Sequence, residues 1–467
     1  MTKEPSGHPP VGSLLLLVAV GVGTFMSALD GSIVGVVLPV MRHEMNTSVA
    51  SIQWVVTIYL LVVSGTLLGF GRLGDMIGHK STYVWGFAVF VAGSALCGLA
   101  PGEASLVMFR AMQAVGAAML FANSLAILTA NFPAERRGRV LGMQAMMTYL
   151  GLTVGPPLGG WLAGAYGWRS IFFINVPIGV VGVALAMRAI PADRGELRLG
   201  HFDWAGAGVF FGGLTALVAA LNLGESRGWA SPAVLGLLTV AAVAGIAFII
   251  LERRSERPML DLTLFHDVTF SASTVGAVLN YITVYTVVFL MPFYLQQGLG
   301  LTPARTGLLL AVQSVVMAIV APIAGRLSDR TGTRAPAVGG MIVLAGGLVA
   351  LGLLGASGSE LGVAAALAAV GLGTGTFISP NSSALMGSAP RDRLGIASGV
   401  LAEARNVGMV LGVGLAGAVF TSLLRGGSTG PNPAFFHAVS VSFYMAATVA
   451  AAGAVACLFA VGRPTAR

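Results

Sequence analysis

Two charged residues stand where charge is costly. Asp30 lies inside the apolar run 11–40 and Arg110 inside the apolar run 107–130. A carboxylate at that depth in a bilayer costs on the order of 3 kcal/mol even on lenient insertion scales, so Asp30 must face protein or water rather than lipid. Its chemistry is one of two kinds: loading and releasing a proton as water reaches it from alternate sides, or permanent ion pairing within a bundle. Arg110 is always charged and must find an anion, carbonyls or water, which makes it a partner for Asp30 unless it snorkels towards the nearby loop.

Glu403 and Arg405 form a second charged pair in an apolar run. Two residues apart on a helix is about 200° around the axis, so they point to nearly opposite sides and do not simply neutralise each other. Glu403 is either a second proton or cation site or a hydrogen-bonding residue with no transport role. Arg405 is grouped with the gating candidates Asp75, Asp329, Gly155 and Pro156. Asp75 and Asp329 are read as loop carboxylates beside arginines that one conformation engages and another releases, or else as solvated charges. Gly155 and Pro156 belong to a cluster, Gly151 to Gly160, of small residues and prolines that suits a bendable packing seam.

Asn280, Tyr281, Tyr285, Gln313 and Asn381, with Gln296 and Ser382, are polar or aromatic positions in apolar surroundings. They suit hydrogen bonding or stacking with a small amphipathic cargo, or plain packing. The six histidines are scattered over termini, loops and helix ends, so no metal site is expected. No Gly-x-x-x-x-Gly-Lys-Ser/Thr sequence is present, and neither a nucleotide nor any other cofactor is expected. The two cysteines, Cys97 and Cys457, sit in apolar stretches and read as free thiols.

The elements that must hold these residues follow from composition. Hydrophobic residues make up 56% of the chain and charged residues 9%, against roughly 25% charged in soluble domains. The apolar runs reach the roughly 20 residues that cross a bilayer. They predict fourteen transmembrane helices near 12–40, 50–70, 81–100, 105–131, 138–163, 169–190, 204–223, 231–251, 269–296, 304–325, 335–355, 361–388, 394–424 and 437–461. The lipid bilayer is thus the expected partner. Of the 26 Lys and Arg, nineteen fall on one side and five on the other, with Arg110 and Arg405 inside helices. The basic excess therefore reflects the positive-inside rule and not nucleic acid, and it places both termini in the cytoplasm.

Gly71-Arg72-Leu73-Gly74-Asp75 returns as Gly325-Arg326-Leu327-Ser328-Asp329, and Pro133 to Gly138 matches the spacing of Pro390 to Gly395. Two related six-helix halves are implied, spanning 1–190 and 269–467, with an inserted two-helix hairpin and its loops at 191–268. Repeated halves of this kind enclose a site near the bilayer midplane, reached alternately from each side. No extramembrane domain or catalytic cluster supports an enzyme.

These motifs resemble the major facilitator superfamily, and more closely its fourteen-helix drug:proton antiporter branch. Leu29 to Pro39 is similar to that branch's first-helix signature, Gly71 to Lys80 to the superfamily's loop motif, and Arg110, Gln113 and Gly116 to its fourth-helix motif. Gly151 to Gly160 resembles the antiporter motif of the fifth helix. Gln53-Trp54-Val55-Val56 and Trp168 to Pro177 are similar to further stretches of the branch. The resemblance implies an all-α major facilitator fold, residence in the cell membrane, a monomer, and export of amphipathic compounds in exchange for protons. Asp30 and Arg110 would couple the two fluxes. A single buried acid adds a leaning towards lipophilic cations as cargo. Export of an endogenous lipid or metabolite is the alternative.

Overall fold

A computed structural model describes residues 11–193, 203–255, 260–390, 393–424 and 432–460. Lys3, His8, Arg194, Arg198, His201, Arg257, Arg391, Arg425, Arg463 and Arg467 lie outside the described residues, so the charge asymmetry is only partly represented.

All the regular structure among the described residues is helical. The N-terminal group holds α1 (Val11–Met45), α2 (Val49–Ile77), α3 (His79–Gly98), α4 (Glu103–Asn131), α5 (Ala134–Tyr166), the short α6 (Ser170–Phe173) and α7 (Asn175–Ala189). A hairpin follows, α8 (Trp204–Arg227) and α9 (Pro232–Arg254). The C-terminal group holds α10 (Val268–Phe293), α11 (Pro303–Thr331), α12 (Arg334–Leu353), α13 (Glu360–Ser388), α14 (Leu394–Leu423) and α15 (Pro433–Leu458). The starts are set by side-chain caps: Ser48, Thr302, Ser359 and Asn432 accept hydrogen bonds from backbone N–H groups three residues on. Such caps satisfy donors that the first helical turn leaves open.

Thirteen helices among the described residues are long and apolar enough to cross a membrane, α6 and α7 counting together as one, Ser170–Ala189. The remaining long helix, α5, has 33 residues, but its Gly and Pro content dilutes its apolar character. The Gly71 to Asp75 motif is not in a loop. α2 runs on to Ile77 and α11 to Thr331, so Asp75 and Asp329 stand on the last turns of helices. The expected boundary stands at the end of the apolar run, whereas the helix continues for about two turns beyond it through more polar residues, many of which form helix as well as apolar ones do.

Within the N-terminal group α1 packs on α5 and α7, and α4 on α2 and α3; within the C-terminal group α11 and α12 pack on α13, and α10 on α14 and α15. The same close crossing occurs in both. A Cβ on Gly116 of α4 would stand 2.7 Å from the Gly86 carbonyl of α3, and one on Gly373 of α13 would stand 2.7 Å from the Gly340 carbonyl of α12. Small residues at these points let backbones meet where no hydrophobic force drives them together.

The two groups meet along α5 with α11, α2 with α14, and α1 with α10. The hairpin leans on the second of these seams through α8, where the Asn222 amide donates to the Ala50 carbonyl at 2.8 Å. α9 packs chiefly on α8, and only 6% of its most apolar window is buried, so its apolar surface faces outward, away from the bundle.

Candidate functional site

Asp30 and Arg110 meet inside the N-terminal group. Arg110 Nη1 donates to Asp30 Oδ2 at 2.5 Å, with side-chain exposures of 1% and 0%. The other carboxylate oxygen accepts from the Gln113 amide at 2.9 Å and the Asn175 amide at 3.0 Å. Ser94 Oγ accepts from both amides and donates to the Phe172 carbonyl at 2.9 Å. Arg110 also donates from Nε to the Val55 carbonyl and lies 4.2 Å over the Tyr59 ring. Five elements therefore converge: α1, α2, α3, α4 and the α6–α7 segment. A buried ion pair repays desolvation only when its remaining lone pairs and protons are satisfied, and here Asp30 is met by three donors.

A cavity lies on the other side of α1. It contains about 790 Å³ of empty space, part of it open to solvent, between walls drawn from both groups: Gly31, Ser32 and Val36 of α1, Tyr149 and Pro156 of α5, Tyr281 and Tyr285 of α10, Gln313 and Met317 of α11, Thr374 of α13 and Met409 of α14. The separation follows from helical geometry. Asp30 and Ser32 are two residues apart, about 200° around the axis, so one faces the ion-pair network and the other the cavity. Ser32 Oγ donates to the carbonyls of Leu29 and Gly151. A Cβ on Gly155 would fall 1.9 Å from that hydroxyl, so glycine is required for α5 to sit this close to α1.

A second, more polar cavity, with about 600 Å³ of empty space that is part open to solvent, adjoins the first, sharing Tyr149, Tyr281 and Ile378, and is lined also by Asn381, Ser382, Ser398 and Arg405. It lies towards the first turns of α14, where Ser64 of α2 donates to Glu403 across the groups, whereas three further hydrogen bonds between the groups lie at the opposite end. There Gln53 Nε2 donates to the Val413 carbonyl at 2.9 Å, Gln296 Nε2 to the Val36 carbonyl at 2.7 Å, and Arg42 to Gln297 Oε1 at 3.1 Å. At that end, too, a Cβ on Gly160 would stand 2.1 Å from the Pro303 carbonyl.

Of the expected cargo residues, Tyr281, Tyr285 and Gln313 line the central cavity, and Asn381 lines the second. Asn280 lines neither. It is fully buried and its amide is directed at the Met341 sulfur, 3.6 Å away inside the C-terminal group, because one residue of helix rotation turns it from the wall on which Tyr281 sits. Gln296 serves the contact between groups. Arg405, expected at a gate, is on the wall of the second cavity with Tyr281 beside its guanidinium. Glu403 points elsewhere and accepts from Ser64 of α2, joining the two groups, while its Oε2 has no partner. Asp75 is half-exposed and contacts Arg72 and His79, each at 3.4 Å, on its own stretch of chain; Asp329 is exposed. Among the described residues no cluster of His, Cys, Asp or Glu could hold a metal, and Cys97 and Cys457 are free and buried.

Ser94, Tyr59, Tyr149 and Thr374 were not singled out from the sequence, nor was Asn175 for its amide. Asn175 carried a usable signal, an amide within an apolar stretch; Ser94 and Thr374 carried none, since short hydroxyls are common in such helices bonded to their own backbone.

The Major Facilitator Superfamily pattern matches residues 20–265 and 273–467. The chain is 33% identical over 451 residues to "Riboflavin transporter RibZ" of Clostridioides difficile, covering 95% of this chain and 97% of that protein. It is 35% identical over 412 residues to "Multidrug resistance protein Stp" of Mycobacterium tuberculosis, covering 88% and 76%. To the "Tetracenomycin C resistance and export protein" of Streptomyces glaucescens it is 32% identical over 427 residues, covering 90% and 79%. The crystal structure of a bacterial homolog to the human lysosomal transporter Spinster, inward-facing and unoccupied, superposes with a TM-score of 0.68 at 16% identity, covering 97% and 98%, a likeness of fold.

Proposed function

The chain belongs to the Major Facilitator Superfamily, and from that premise we propose that it exports small amphipathic compounds in exchange for protons by alternating access. It is a multi-span membrane transporter of small molecules, of a superfamily of transporters rather than enzymes. One observation carries the finer reading. α1 bears the carboxylate of a buried ion pair on one face and a wall of the inter-group cavity on the other. A proton that reaches Asp30 weakens its hold on Arg110 and changes how α1 packs; cargo that fills the cavity presses on the same helix through Gly31, Ser32 and Val36. Two ligands that bias one two-state element are coupled reciprocally.

In this reading α5 is a fourteenth span, 1–190 and 269–467 are the rocking halves, and 191–268 carries the hairpin. With the basic loops in the cytoplasm, both termini are cytoplasmic, the sealed end faces outward and the polar cavity opens inward. The transporter resides in the cell membrane and works as a monomer. Asp75 and Asp329 close the inner end in the opposite state. A gradient of one pH unit supplies about 1.4 kcal/mol per proton, and 100 mV adds about 2.3 kcal/mol per charge. Tenfold accumulation is within that range. Asp30 serves coupling, so the cavity walls and not Asp30 decide the charge of the cargo.

The test is proton release from inside-out vesicles with an imposed pH gradient on adding amphipathic dyes, for wild type and Asp30→Asn. Release by wild type alone supports coupling through Asp30; equal release by both removes it. A second reading, carriage of a metabolite, is favoured by the near full-length similarity to a riboflavin transporter. Riboflavin transport by vesicles with no response to any dye would select it.

A further inference from the structure

The walls of the two adjoining cavities carry a charge opposite to the one a buried acid suggests. Among the described residues their lining includes no carboxylate: Asp30 faces the ion-pair network behind α1, and Glu403 is engaged with Ser64 on the α2–α14 seam. Among the described residues the one charged side chain on either wall is Arg405. Its Nε is buried without a hydrogen-bond partner, although the guanidinium lies beside the Tyr281 phenol. Two further buried polar atoms without a partner border the cavities: the Thr374 hydroxyl on the central one, on a residue 1% exposed, and Asn381 Oδ1, an acceptor, on the second. Arg405 Nε can only donate and the Thr374 hydroxyl can donate, and a buried donor left unsatisfied is costly enough to point to an acceptor that arrives from elsewhere, one that also carries a polar hydrogen for Asn381 Oδ1 or leaves it to water.

Tyr149 of α5 and Tyr281 of α10 line both cavities from opposite groups, so two aromatic rings border the passage between them. The remainder of the central wall is largely aliphatic and thioether, including Val284, Leu310 and Met317. Such walls take a flat apolar body, and a planar guanidinium takes a carboxylate, phenolate or enolate in a fork of N–H groups.

We propose that the cargo is a planar aromatic anion, held by Arg405 at its acidic edge, by Tyr149 and Tyr281 at its faces, and by Thr374 at a second oxygen on the end that lies in the central cavity. This rests on the export reading above and replaces lipophilic cations as its cargo. It also fits the energetics, since a negative interior itself drives an anion outward and adds to the force of the entering proton.

The test separates binding from pumping. Fluorescein, a planar aromatic anion, and tetraphenylphosphonium, a lipophilic cation, are titrated onto the purified full-length protein with no gradient present. Fluorescein should bind, and Arg405→Gln should weaken it at least about tenfold, the loss of a charge-assisted hydrogen bond. Arg405→Lys, which keeps the charge and loses the fork, should fall between; it also guards against a misfolded Arg405→Gln. Thr374→Val, away from the arginine, should weaken fluorescein by about fivefold. Tetraphenylphosphonium should bind more weakly than fluorescein to wild type and gain on Arg405→Gln. No fluorescein binding to wild type, or equal binding to wild type and both Arg405 variants, overturns the proposal. The same probes are then given to vesicles with a pH gradient. If the cation is pumped while the anion neither binds nor moves, the anion site falls and the export reading stands; if the anion binds through Arg405 but no gradient moves it, the site stands and proton-coupled export falls.

Discussion

Gly307 of α11 lies against the Pro156 carbonyl of α5, so closely that a Cβ on the glycine would stand 2.2 Å from that oxygen and 3.0 Å from the Pro157 Cα. Both neighbours are backbone, and neither can swing away as a side chain would. Gly307→Ala should therefore push α5 and α11 apart at the sealed end, at a cost of about 1–3 kcal/mol typical of overpacking. Expression and folding should survive, because the rest of each group is untouched, while export should fall sharply. Maleimide labelling of a cysteine placed at Val36 reads the seal: faster labelling from the outer face in Gly307→Ala is the expected result, and unchanged labelling with full export would remove α5–α11 closure from the cycle.

The pairing of Asp30 with Arg110 was legible because charge in an apolar run has few places to go, and each residue limits the other's options. Thirteen of the spans were legible for the same reason at larger scale, save that α2 and α11 continue past the apolar run into polar turns. The cavity was harder to see. Tyr281 and Asn280 are neighbours of similar polarity, yet one lines the cavity and the other faces Met341. That choice depends on the rotation of α10 against α14 and α15, a matter of packing that no single run of residues encodes. Arg405 was visible as a costly charge, but its neighbours Tyr149, Asn381 and Ser398 come from α5, α13 and α14 and are assembled only by the fold.

Removing Arg110 should cost more than removing the pair. Arg110→Ala leaves the Asp30 carboxylate buried without its cation, a loss of about 3–5 kcal/mol for broken buried pairs. Asp30→Asn with Arg110→Gln keeps two neutral side chains that can still hydrogen-bond to Gln113 and Asn175. The double variant should melt at a higher temperature than Arg110→Ala in detergent, while exporting nothing. If Arg110→Ala melted with wild type, the pair would not contribute to stability.

Asp261, between α9 and α10, ties that loop to the start of α14. It accepts from the Thr263 hydroxyl at 2.6 Å and contacts Arg393 at 2.5 Å. The Thr263 hydroxyl first, with its backbone N–H and the Arg393 charge, holds this carboxyl below its ordinary value of 3.8. A depressed value means that the unfolded chain takes up the proton first as pH falls. The stabilisation is thus fully present above the ordinary carboxylate range and is lost as pH drops through the folded value. Arg393 is 39% exposed, so the contribution is small, about 0.2–1 kcal/mol. Asp261→Asn should melt slightly below wild type at pH 7, and the gap should narrow as the pH falls below the ordinary carboxylate value of 3.8. A gap that widened towards low pH would contradict this sign.

Gln53 bridges the two groups at the sealed end, its Nε2 donating to the Val413 carbonyl at 2.9 Å while Gly417 packs on the same amide so tightly that a Cβ there would lie 1.8 Å from Oε1. A net hydrogen bond contributes about 1 kcal/mol, and a contact made in one state alone shifts a two-state population by roughly fivefold when it is lost. Gln53→Leu should thus populate the outward-open state more, and Gly417→Ala, which displaces the amide, should do the same through a different residue. Distances between spin labels at the ends of α1 and α10 report the shift: both variants should lengthen the sealed-end distance and raise dye binding from the outer face. If Gln53→Leu lengthened nothing while Gly417→Ala did, the hydrogen bond would be incidental and the close packing of α2 on α14 would be the element that closes the outer end.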